Sequence, residues 1–593
     1  MGALVHLLWS FLGFVLAYAE PARNSQCLAE IRQPEDNSDV AAFIQIETKF
    51  QVKSVHLAKE GRQKTTLPLV PAPHRIDQPA EAPMIVESLV VEPTDPGQRE
   101  LVAKVAYGAA HLYNLTGSVA LQVDASPGLE STAVKVTMRP PQGSGDEERY
   151  VLKTSSGGQG VEIEASTARG IFNGLLTLRQ LLVRDGSKWH LPSVTVEDAP
   201  ATEWRGMMLD CARSFFPPEV VKQFISTMAL FKFNRFHWHL TDDQGWRFPV
   251  EKWPELVTRG AWRDGSPNTQ RETFAHRHDH VRHGGAYTEA DIQEVVNHAA
   301  ALFIEVVPEV DIPGHAQAAI AAYPELGNTD VEGWQAPDVA DIFGPQQYTL
   351  GASESAFRFV RDVVDAEAKL VPSRYVHLGG DEVIFKQWVA SPSAQRFMQS
   401  MSGNYTHQEK AGPLQGYFQN MGVKQAQKNG RRPIVWEEAA AEGKNLSTDA
   451  IVMVWDVKHA GFHGRFDSLT SRGYDVILAP LHYTYLDFAE TKYDGDYVNP
   501  YGRTVVPFTE AFKLPIYTSR GPGRVLGGQA QVWTEYIRSK EHVDYNTWPR
   551  GAAIAERLWE GGTSPGDDIE NLQARLKLRL AEMDHMGVHY RPF

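Results

Sequence analysis

Cysteine is nearly missing from this chain of 593 residues, which contains only Cys27 and Cys211. Two cysteines are too few for a scaffold that depends on disulfide bonds, even in an exported protein. Cys211 ends the run Met207-Met-Leu-Asp-Cys211, which is typical of a buried strand end, so we expect a free thiol in the core. The chain also lacks a Lys/Arg-rich stretch, and its formal net charge is −15. A nucleic-acid partner, which needs a basic face, is therefore not expected.

Long apolar runs are missing as well, except at the start of the chain. Residues 3–16 are mostly apolar and precede Ala17-Tyr18-Ala19, a pattern typical of a signal-peptide cleavage site. We predict a signal peptide over residues 1–19; an uncleaved anchor is the alternative, because no Lys or Arg precedes the run, but the run is short for a membrane span. We thus expect no stable span and a secreted, lysosomal or vacuolar protein. Three N-glycosylation acceptors agree with this route: Asn114, Asn404 and Asn445.

What the chain does contain is enough apolar sequence for two or three domains, with 42% apolar and 22% charged residues. Between residues 84 and 200, short strand patterns alternate with two helical patterns. One helix is predicted over 168–183, because Ile171, Leu175, Leu178 and Leu182 recur at helical spacing. We therefore predict a small N-terminal α+β domain over residues 20–200.

After residue 200 the pattern changes to strands that alternate with helices. Eight strand candidates occur there, and most are joined by helical segments, which favours a (β/α)₈ (TIM) barrel over residues 201–593. The predicted strands are 206–210, 235–240, 303–307, 375–378, 433–436, 451–455, 475–479 and 525–533.

Polar and aromatic residues follow every predicted strand. In such barrels the carboxyl ends of the strands meet at one rim, where the chemistry takes place. Carboxylates, indoles and a phenol at one rim indicate a sugar site with acid–base capacity. The segments are Asp210 with Arg213, His237 to Trp246, Glu309 to His315, His377 to Glu382, Trp436-Glu-Glu, Trp455-Asp, Tyr485 to Asp487, and Trp533-Thr-Glu535.

The adjacent pair Asp381-Glu382 is the strongest catalytic candidate. Two neighbouring carboxylates repel each other, so one can keep its proton to higher pH and act as a general acid while the other stays ionised. An isolated pair of this kind is usually a solvated loop start. Here its position at a strand end favours a functional role.

A metal site is the alternative for the histidines and acids of the same rim. Its ligands would be His237, His239, Asp242, Asp311 and His315, as in barrel metallohydrolases, and spacing alone leaves this open. Strand alternation places His237 and His239 on one face, but no bridging Lys, Cys or third clustered His accompanies them. We therefore favour a network of histidines and carboxylates, with no metal and no cofactor.

Taken together, the motifs resemble family 20 of the glycoside hydrolases, the β-N-acetylhexosaminidases. The resemblance covers the whole predicted barrel, and residues 151–183 resemble the small N-terminal domain of that family. The motifs that carry it, in chain order, are Arg205-Gly, Asp210-x-x-Arg213, His-Trp-His-Leu-Thr-Asp-Asp-Gln-Gly-Trp-Arg, Pro-Glu-Val-Asp-Ile-Pro-Gly-His, His-Leu-Gly-Gly-Asp-Glu, Tyr-Leu-Asp and Gln-Val-Trp-Thr-Glu.

The resemblance implies an exo-acting, retaining enzyme that removes terminal N-acetylglucosamine or N-acetylgalactosamine from glycans or chitooligosaccharides. In that family the carbonyl oxygen of the substrate's 2-acetamido group is the nucleophile, and an oxazoline-type intermediate forms. The preferred sugar and the oligomeric state, a homodimer included, stay open. A relative restricted to disaccharide release or chitin fragments, and an inactive sugar-binding protein on the same fold, are the competing interpretations.

The resemblance also implies a role for each matching residue. Glu382 would be the general acid and base, Asp381 would orient the acetamido group, and Tyr485 would bind its oxygen. Asp242 and His315 would form a relay to Glu382. Sugar hydroxyls would be bound by Arg205, Asp487 and Glu535, and the pocket would be walled by Trp436, Trp455 and Trp533. The His- and Arg-rich insertion between Trp253 and Tyr287 is expected to shape the pocket mouth.

Overall fold

The computed structural model describes the chain from residue 67 to residue 593, with nine gaps. The described residues are 67–123, 131–140, 146–155, 160–267, 278–401, 411–441, 445–456, 461–491, 505–562 and 568–593. They all belong to one unit, Ser54–Phe593. The predicted signal peptide, Cys27 and the acceptor Asn404 lie outside the described residues.

A mixed sheet with two helices forms the part of the described chain before residue 200. Its strands are β1 (Arg75–Asp77), β2 (Met84–Val86), β3 (Ser88–Pro93), β4 (Ala120–Val123), β5 (Ser131–Met138), β6 (Tyr150–Ser155), β7 (Gly160–Ala165), β8 (Val183–Asp185), β9 (Lys188–Leu191) and β10 (Val194–Asp198). Seven of them pair in the order β1-β10-β6-β7-β5-β3-β4, and β2, β9 and β8 form a smaller sheet. The α+β character expected of this region is present.

Apolar periodicity accounts for the elements of this domain. In β7, Val161 and Ile163 are buried while Glu162 points to solvent, the alternation of a strand with one covered face. The helices are Arg99–Leu115 and Ala168–Leu181. Thr167 caps the second helix by accepting a hydrogen bond from the Gly170 N–H. This helix ends two residues before the predicted position, because Val183 starts β8 instead.

The remaining strands form the barrel and two short antiparallel pairs, β13 with β14 and β15 with β16. They are β11 (Trp204–Asp210), β12 (Arg235–His239), β13 (Thr241–Asp242), β14 (Gly245–Trp246), β15 (Trp262–Arg263), β16 (His283–Gly284), β17 (Glu305–Glu309), β18 (Tyr375–His377), β19 (Arg432–Trp436), β20 (Ile451–Val454), β21 (Val476–Leu478) and β22 (Val525–Val532). A closed parallel barrel is formed by β11, β12, β17, β18, β19, β20, β21 and β22 in that order. The predicted (β/α)₈ barrel is confirmed.

Helices surround the barrel, and local sequence sets their ends. Thr288 and Asp291 form a capping box at the start of Glu289–Ala301, and Ser353 caps Glu354–Leu370. Gly561 takes the left-handed conformation that ends Arg550–Glu560. The described helices after residue 200 are Pro218–Leu230, Glu255–Thr258, Glu289–Ala301, Gln317–Ala322, Glu354–Leu370, Lys386–Ala390, Pro392–Ser400, Gly412–Lys428, Gly461–Ser471, Leu481–Thr484, Phe508–Phe512, Lys540–Thr547, Arg550–Glu560 and Ile569–His585.

The register of the barrel strands aligns four polar residues near their carboxyl ends. Asp210 pairs with His239, His239 with Glu309, and Glu309 with His377, across β11, β12, β17 and β18. The third barrel strand was predicted to end at Val307, but it continues to Glu309. Glu309 therefore belongs to the barrel wall and not to the loop that follows it.

Buried ion pairs join the N-terminal domain to the amino end of the barrel. Glu148 accepts hydrogen bonds from Arg205 Nη2 and Asn234 Nδ2. Asp198 lies 3.2 Å from Lys232 Nζ and accepts a hydrogen bond from the indole of Trp559 at 2.9 Å. Arg205 and Lys232 are almost completely buried, so these acids of the N-terminal domain compensate cations of the barrel.

The structure also shows the surroundings of Cys211 and of two predicted glycosylation acceptors. Cys211 is a buried free thiol, as predicted, and its sulfur accepts a hydrogen bond from Trp238 Nε1. Asn114 and Asn445 are exposed, as glycosylation would require. Among the described residues, no helix combines the length and apolar character needed to cross a bilayer.

Candidate active site

The floor of the candidate site is the carboxylate of Glu309, which is completely buried at the end of β17. Its Oε2 lies 3.0 Å from His237 Nε2 and also pairs with His239 Nδ1. Its Oε1 lies 2.9 Å from His377 Nδ1 and accepts a hydrogen bond from Trp436 Nε1 at 2.8 Å. Three imidazoles and an indole thus surround one carboxylate, and burial of the charge is compensated by these contacts.

Asp242 connects this floor to the upper part of the site. It lies on the β13–β14 hairpin. Its Oδ2 is 3.0 Å from His239 Nε2 and 2.8 Å from Arg213 Nη2, and its Oδ1 is 3.1 Å from His315 Nδ1. Burial opposes its ionisation, but Arg213 and His315 outweigh burial and hold the pKa of Asp242 below its usual range. Asp242 is therefore an ionised acceptor that orients three cationic or polar groups.

The loop after β18 brings Asp381 and Glu382 to this network. Gly379 and Gly380 precede the pair with φ values of 59° and 104°. A Cβ at Gly379 would lie 1.8 Å from Asp311 Oδ1, so only glycine fits there. His315 Nε2 lies 3.7 Å from Glu382 Oε2 and 3.9 Å from Asp381 Oδ2. His315 and Glu382 both have positive φ values, 47° and 46°, as strained residues at functional sites often do.

The electrostatics of the pair favour one protonated acid. Removal of water around the carboxyl raises the pKa of Glu382 to about 7; Asp381 adds to the rise, while His315 and Arg213 oppose it. The Glu382 side chain nevertheless stays 42% exposed at the mouth of the site, where a substrate could reach its proton. Burial, and then the neighbouring Asp381 carboxylate, raise the pKa of Asp311 well above its ordinary value. A protonated Asp311 can donate to Asp381 and orient it.

Arg213 and Glu535 form the edge of the site on the side of β11 and β22. Arg213 Nε donates to Gln244 Oε1 at 3.0 Å, and its Nη1 lies 3.3 Å from Asp210 Oδ2 and 4.0 Å from Glu535 Oε1. The guanidinium also lies over the Trp533 ring, 5.0 Å from its centroid. Burial raises the pKa of Glu535 despite the arginine. Arg213 can donate hydrogen bonds to sugar hydroxyls, and the Glu535 carboxyl can accept hydrogen bonds from them.

Arg205 does not reach the site, and its predicted role as a sugar ligand is wrong. It lies at the amino end of β11, the opposite end of the strand from Asp210. Its guanidinium is 1% exposed and is fully engaged by Glu148 and by the carbonyl oxygens of Thr202 and Lys232. Arg213, which lies beyond the carboxyl end of the same strand, is the arginine of the site.

Four aromatic side chains continue the site from Trp533, the ring beneath Arg213. Ring centroids are 6.0 Å apart for Trp436 and Trp533, and 6.2 Å apart for both Tyr485 with Trp533 and Trp455 with Tyr485. Trp436 is buried at the bottom, whereas Trp455 and Tyr485 are partly exposed. The Glu438 carboxyl accepts from Trp455 Nε1 at 3.1 Å. Three of these residues were predicted as pocket walls, and the structure brings all three together.

Tyr485 and Asp487 follow the seventh barrel strand. Burial, with the charges of Asp487 and Asp381, raises the pKa of Tyr485 well above its ordinary value, so its hydroxyl keeps a proton to donate. Tyr485 also forms an isolated parallel bridge with Gln531 of β22, which ties this turn to the barrel. The Asp487 side chain is buried beside it.

The described parts of the insertion support the edge of the site from outside. Arg263 donates to the carbonyl oxygens of Arg213 at 2.7 Å and Gln244 at 3.0 Å. Asp279 binds Arg538 and accepts from the Ser266 N–H at 2.9 Å. Residues 268–277 of the insertion lie outside the described residues. The expectation that the insertion shapes the pocket mouth stays a prediction.

The residues of the metal alternative do not form one cluster. His237 groups with Glu309 and His377, whereas Asp242, Asp311 and His315 form a second group. His239 stands between the groups, with one nitrogen toward Glu309 and the other toward Asp242. Each of these imidazoles lies beside a carboxylate at hydrogen-bonding distance, which is the network that the sequence favoured. A third group, His315 with Asp381 and Glu382, faces the mouth.

Sequence reasoning gave no role to Glu309 or Arg213, and it named His239 and Asp311 only as ligands in the metal alternative; all four lie in or beneath the site. Arg213 was recognised only as part of a strand-end motif, and the spacing Asp210-x-x-Arg213 was the available signal. Glu309 is the first residue of the segment Glu309 to His315, but a single sequence does not reveal the strand pairing that places it beside three histidines.

The catalytic domain of glycosyl hydrolase family 20 matches residues 203–562, and domain 2 of the same family matches residues 66–199. A beta-hexosaminidase of Vibrio furnissii is 36% identical over 420 residues, which cover 69% of this chain and 65% of that protein. A beta-hexosaminidase of Porphyromonas gingivalis is 35% identical over 460 residues, which cover 75% of this chain and 54% of that protein. The chain thus spans less than two thirds of these two relatives.

Solved structures resemble the fold over most of the chain. A GH20 exo beta-N-acetylglucosaminidase from Vibrio harveyi, in complex with N-acetylglucosamine, has a TM-score of 0.73 and 29% identity, with coverage of 90% of this chain and 79% of that one. A GH20 beta-N-acetylhexosaminidase from Streptomyces coelicolor A3(2) has a TM-score of 0.70 and 27% identity, with coverage of 89% and 98%.

Proposed function

Because the chain belongs to glycosyl hydrolase family 20, we propose that it is an exo-acting β-N-acetylhexosaminidase. Its substrates would be glycans or chitooligosaccharides that end in N-acetylglucosamine or N-acetylgalactosamine. The observation that carries this proposal is the Asp381-Glu382 pair beside His315, at the mouth of a pocket lined by indoles, where burial raises the pKa of Glu382 to about 7. An acid that is still protonated near neutral pH can protonate a glycosidic oxygen.

In the proposed mechanism, the substrate supplies the nucleophile. The acetamido carbonyl oxygen attacks the anomeric carbon while Glu382 donates its proton to the departing oxygen, so the glycosidic bond breaks and an oxazolinium-type ring forms. Glu382, now a carboxylate, then takes a proton from the water that opens the ring. The anomeric configuration is retained, because the centre is inverted twice. An intramolecular nucleophile needs no covalent bond to the enzyme.

The neighbouring residues have matching tasks. Asp381 would accept the acetamido N–H and stabilise the positive charge that develops on that nitrogen. The Tyr485 hydroxyl would donate to the acetamido oxygen, and Trp436 and Trp533 would enclose the methyl group. Arg213, Glu535 and Asp487 would bind the outer hydroxyls of the sugar. Indole faces suit the apolar face of a pyranose ring.

The first experiment measures hydrolysis of chromogenic aryl β-N-acetylglucosaminides and β-N-acetylgalactosaminides by the full chain. Glu382→Gln should lower kcat by ~10²- to 10⁴-fold on poor leaving groups and by less on a nitrophenol, which needs little protonation. Glu354→Gln is the matched control, because that side chain is 80% exposed on the helix Glu354–Leu370. Binding of N-acetylglucosamine without any hydrolysis would instead identify a sugar-binding protein and refute the proposal.

A second experiment tests assistance by the substrate. An aryl β-glucoside with a plain 2-hydroxyl lacks the nucleophile and should hardly be hydrolysed. A thiazoline mimic of the cyclised intermediate should bind far more tightly than the free sugar. If the 2-hydroxyl substrate is cleaved efficiently, or a glycosyl ester is trapped on an Asp or Glu, the enzyme uses its own nucleophile and the mechanism is wrong.

Export from the cell belongs to the same proposal. It is supported by the apolar leader with its Ala17-Tyr18-Ala19 pattern and by the exposure of Asn114 and Asn445. The mature protein should start at Glu20 and should migrate faster after enzymatic removal of N-glycans. An intact Met1 on the purified native protein would refute the predicted cleavage.

A further inference from the structure

Five side chains form a continuous line from the barrel interior to the general acid. Glu309 pairs with His239 Nδ1, and His239 Nε2 lies 3.0 Å from Asp242 Oδ2. Asp242 Oδ1 lies 3.1 Å from His315 Nδ1, and His315 Nε2 lies 3.7 Å from Glu382 Oε2. Carboxylates and imidazoles alternate along the whole line. The sequence had predicted only the outer part, from Asp242 to Glu382.

His239 is the link between the inner and outer parts. Both of its ring nitrogens face carboxylate oxygens, and an ionised carboxylate only accepts hydrogen bonds. Asp242 also receives the guanidinium of Arg213, which keeps it ionised. A neutral imidazole would present a lone pair to one of the two carboxylates, so the geometry calls for a doubly protonated ring. Burial opposes this charge, but Glu309 and Asp242 outweigh burial and raise the pKa of His239 to about 10.

Glu309 is linked to the substrate pocket by its other oxygen. Oε1 accepts the indole N–H of Trp436 at 2.8 Å, and Trp436 lies 6.0 Å from Trp533, ring to ring. One buried carboxylate therefore holds both the imidazole of the relay and the indole at the bottom of the pocket. A carboxylate can do this because its two oxygens accept independently.

We infer that Glu309 is a positioning residue for the general acid, acting through His239 and Asp242, and that it also positions the pocket wall through Trp436. The inference rests on the proposed function. Glu309 keeps His239 as an imidazolium, and this positive charge compensates Asp242. Without it, the Asp242 charge would act more strongly on the outer groups, and Glu382 would hold its proton more tightly.

Charged and titratable groups surround Glu382, His239 and Glu309, and they set the direction of this effect. Glu382 faces His315, Asp381, Arg213 and Asp242. His239 faces Glu309, Asp242 and Asp210. Around Glu309 the nearby groups are His237, His239, His377, Asp311 and Glu367. Among the cations beside Asp242, His239 is the one that also contacts Glu309. Loss of the positive charge on His239 therefore raises the pKa of Glu382.

The test compares Glu309→Gln and His239→Gln with Glu367→Gln as the matched control. Glu367 is a 1% exposed glutamate on the helix Glu354–Leu370, outside the relay, and burial raises its pKa well above the ordinary value. It is already neutral, so Gln should change little. The assay is kcat and KM against pH on an N-acetylglucosaminyl disaccharide and on an aryl N-acetylglucosaminide.

We expect both relay variants to lose ~10- to 100-fold in kcat on the disaccharide and less on the aryl substrate, as for a weakened general acid. The alkaline limb of the pH profile should move upward by about half a unit or more in both. Glu309→Gln should also raise KM, because Trp436 loses its partner, whereas His239→Gln should leave KM near the wild-type value. An alkaline limb that stays in place in both variants, or equal losses on both substrates, would overturn the inference.

A second readout follows the protonation of His239 directly in the wild-type protein. In protein labelled with ¹⁵N-histidine, the signals of the His239 ring are identified as those missing from the spectrum of folded His239→Gln. Both ring nitrogens of His239 should stay protonated up to about pH 9, since Glu309 and Asp242 raise its pKa to about 10. A His239 ring that loses a proton near the ordinary histidine pKa would overturn the inference. If the wild-type enzyme hydrolyses no N-acetylhexosaminide, the proposed function fails, while this spectrum still tests the relay by itself.

Discussion

Glu382 must carry a proton to act as general acid, so activity on poor leaving groups should fall as the pH rises through the pKa of this carboxyl. Its ordinary pKa is 4.5, and the site raises it to about 7. At pH 6 a carboxyl with a pKa near 7 is ~90% protonated, against ~3% for an ordinary one, so the shift increases the active fraction ~30-fold.

The two nearest charged side chains should move this pKa in opposite directions. His315, 3.7 Å away, favours the ionised form, so His315→Gln should move the alkaline limb to higher pH. Asp381 favours the protonated form, so Asp381→Asn should move it to lower pH. Both variants lose activity for other reasons, and therefore the position of the limb is the informative quantity.

The assay is kcat/KM between pH 4 and pH 9 on a disaccharide substrate, with Glu354→Gln as a control that should superimpose on the wild type. Folding of each variant is checked by circular dichroism at both ends of the range. A wild-type limb below about pH 5.5 would show that Glu382 is an ordinary carboxyl. Shifts of the same sign in both variants would refute the charge-based explanation.

Three further predictions concern other residues of the site and its support. Arg213→Lys should lower kcat/KM at least ~10-fold, because the planar guanidinium that donates two hydrogen bonds is lost. Arg205→Lys should instead lower Tm and leave KM unchanged. The reverse pattern would show that Arg205 is a sugar ligand. Gly379→Ala should cost at least ~1–3 kcal/mol of unfolding free energy in a denaturant titration, since its Cβ would meet Asp311 and its φ is 59°. Wild-type stability in that variant would disprove the close packing. Cys211→Ala should keep kcat within about twofold, because the buried thiol contacts only Trp238 and Tyr287 among the polar side chains that influence it, and neither has a role in the chemistry. A large loss of kcat in a variant with wild-type Tm would give Cys211 a catalytic role.

The sequence predicts the barrel well because periodicity is a local signal. Each of the eight predicted strands overlaps an observed one, and the family resemblance is confirmed by matches over residues 66–199 and 203–562. The general-acid pair was found because it directly follows a strand. The error at Arg205 was avoidable: the residue precedes the predicted strand 206–210, and residues at the amino ends of barrel strands do not reach the catalytic rim.

The inner part of the site could not be predicted in the same way. Glu309 meets His237, His239 and His377 only through the register of β12, β17 and β18, which is a property of pairing between distant segments. The charge on His239 depends in turn on two carboxylates that lie on different elements. Periodicity and motif spacing predict neither the register of these strands nor the positions of the two carboxylates beside His239.

The buried contacts between the N-terminal domain and the barrel bear on whether the barrel would be stable without that domain. A chain shortened to start at residue 201 would keep every residue assigned to the chemistry, yet it would lose Glu148 and Asp198. Arg205 and Lys232 would then be cations without their acidic partners, at the amino end of the barrel. Loss of one partner from a buried ion pair typically costs ~3–5 kcal/mol, which approaches the whole stability of many domains. We therefore expect the barrel to depend on the N-terminal domain for stability, and grafts of this barrel onto other proteins should carry residues 66–199 with them.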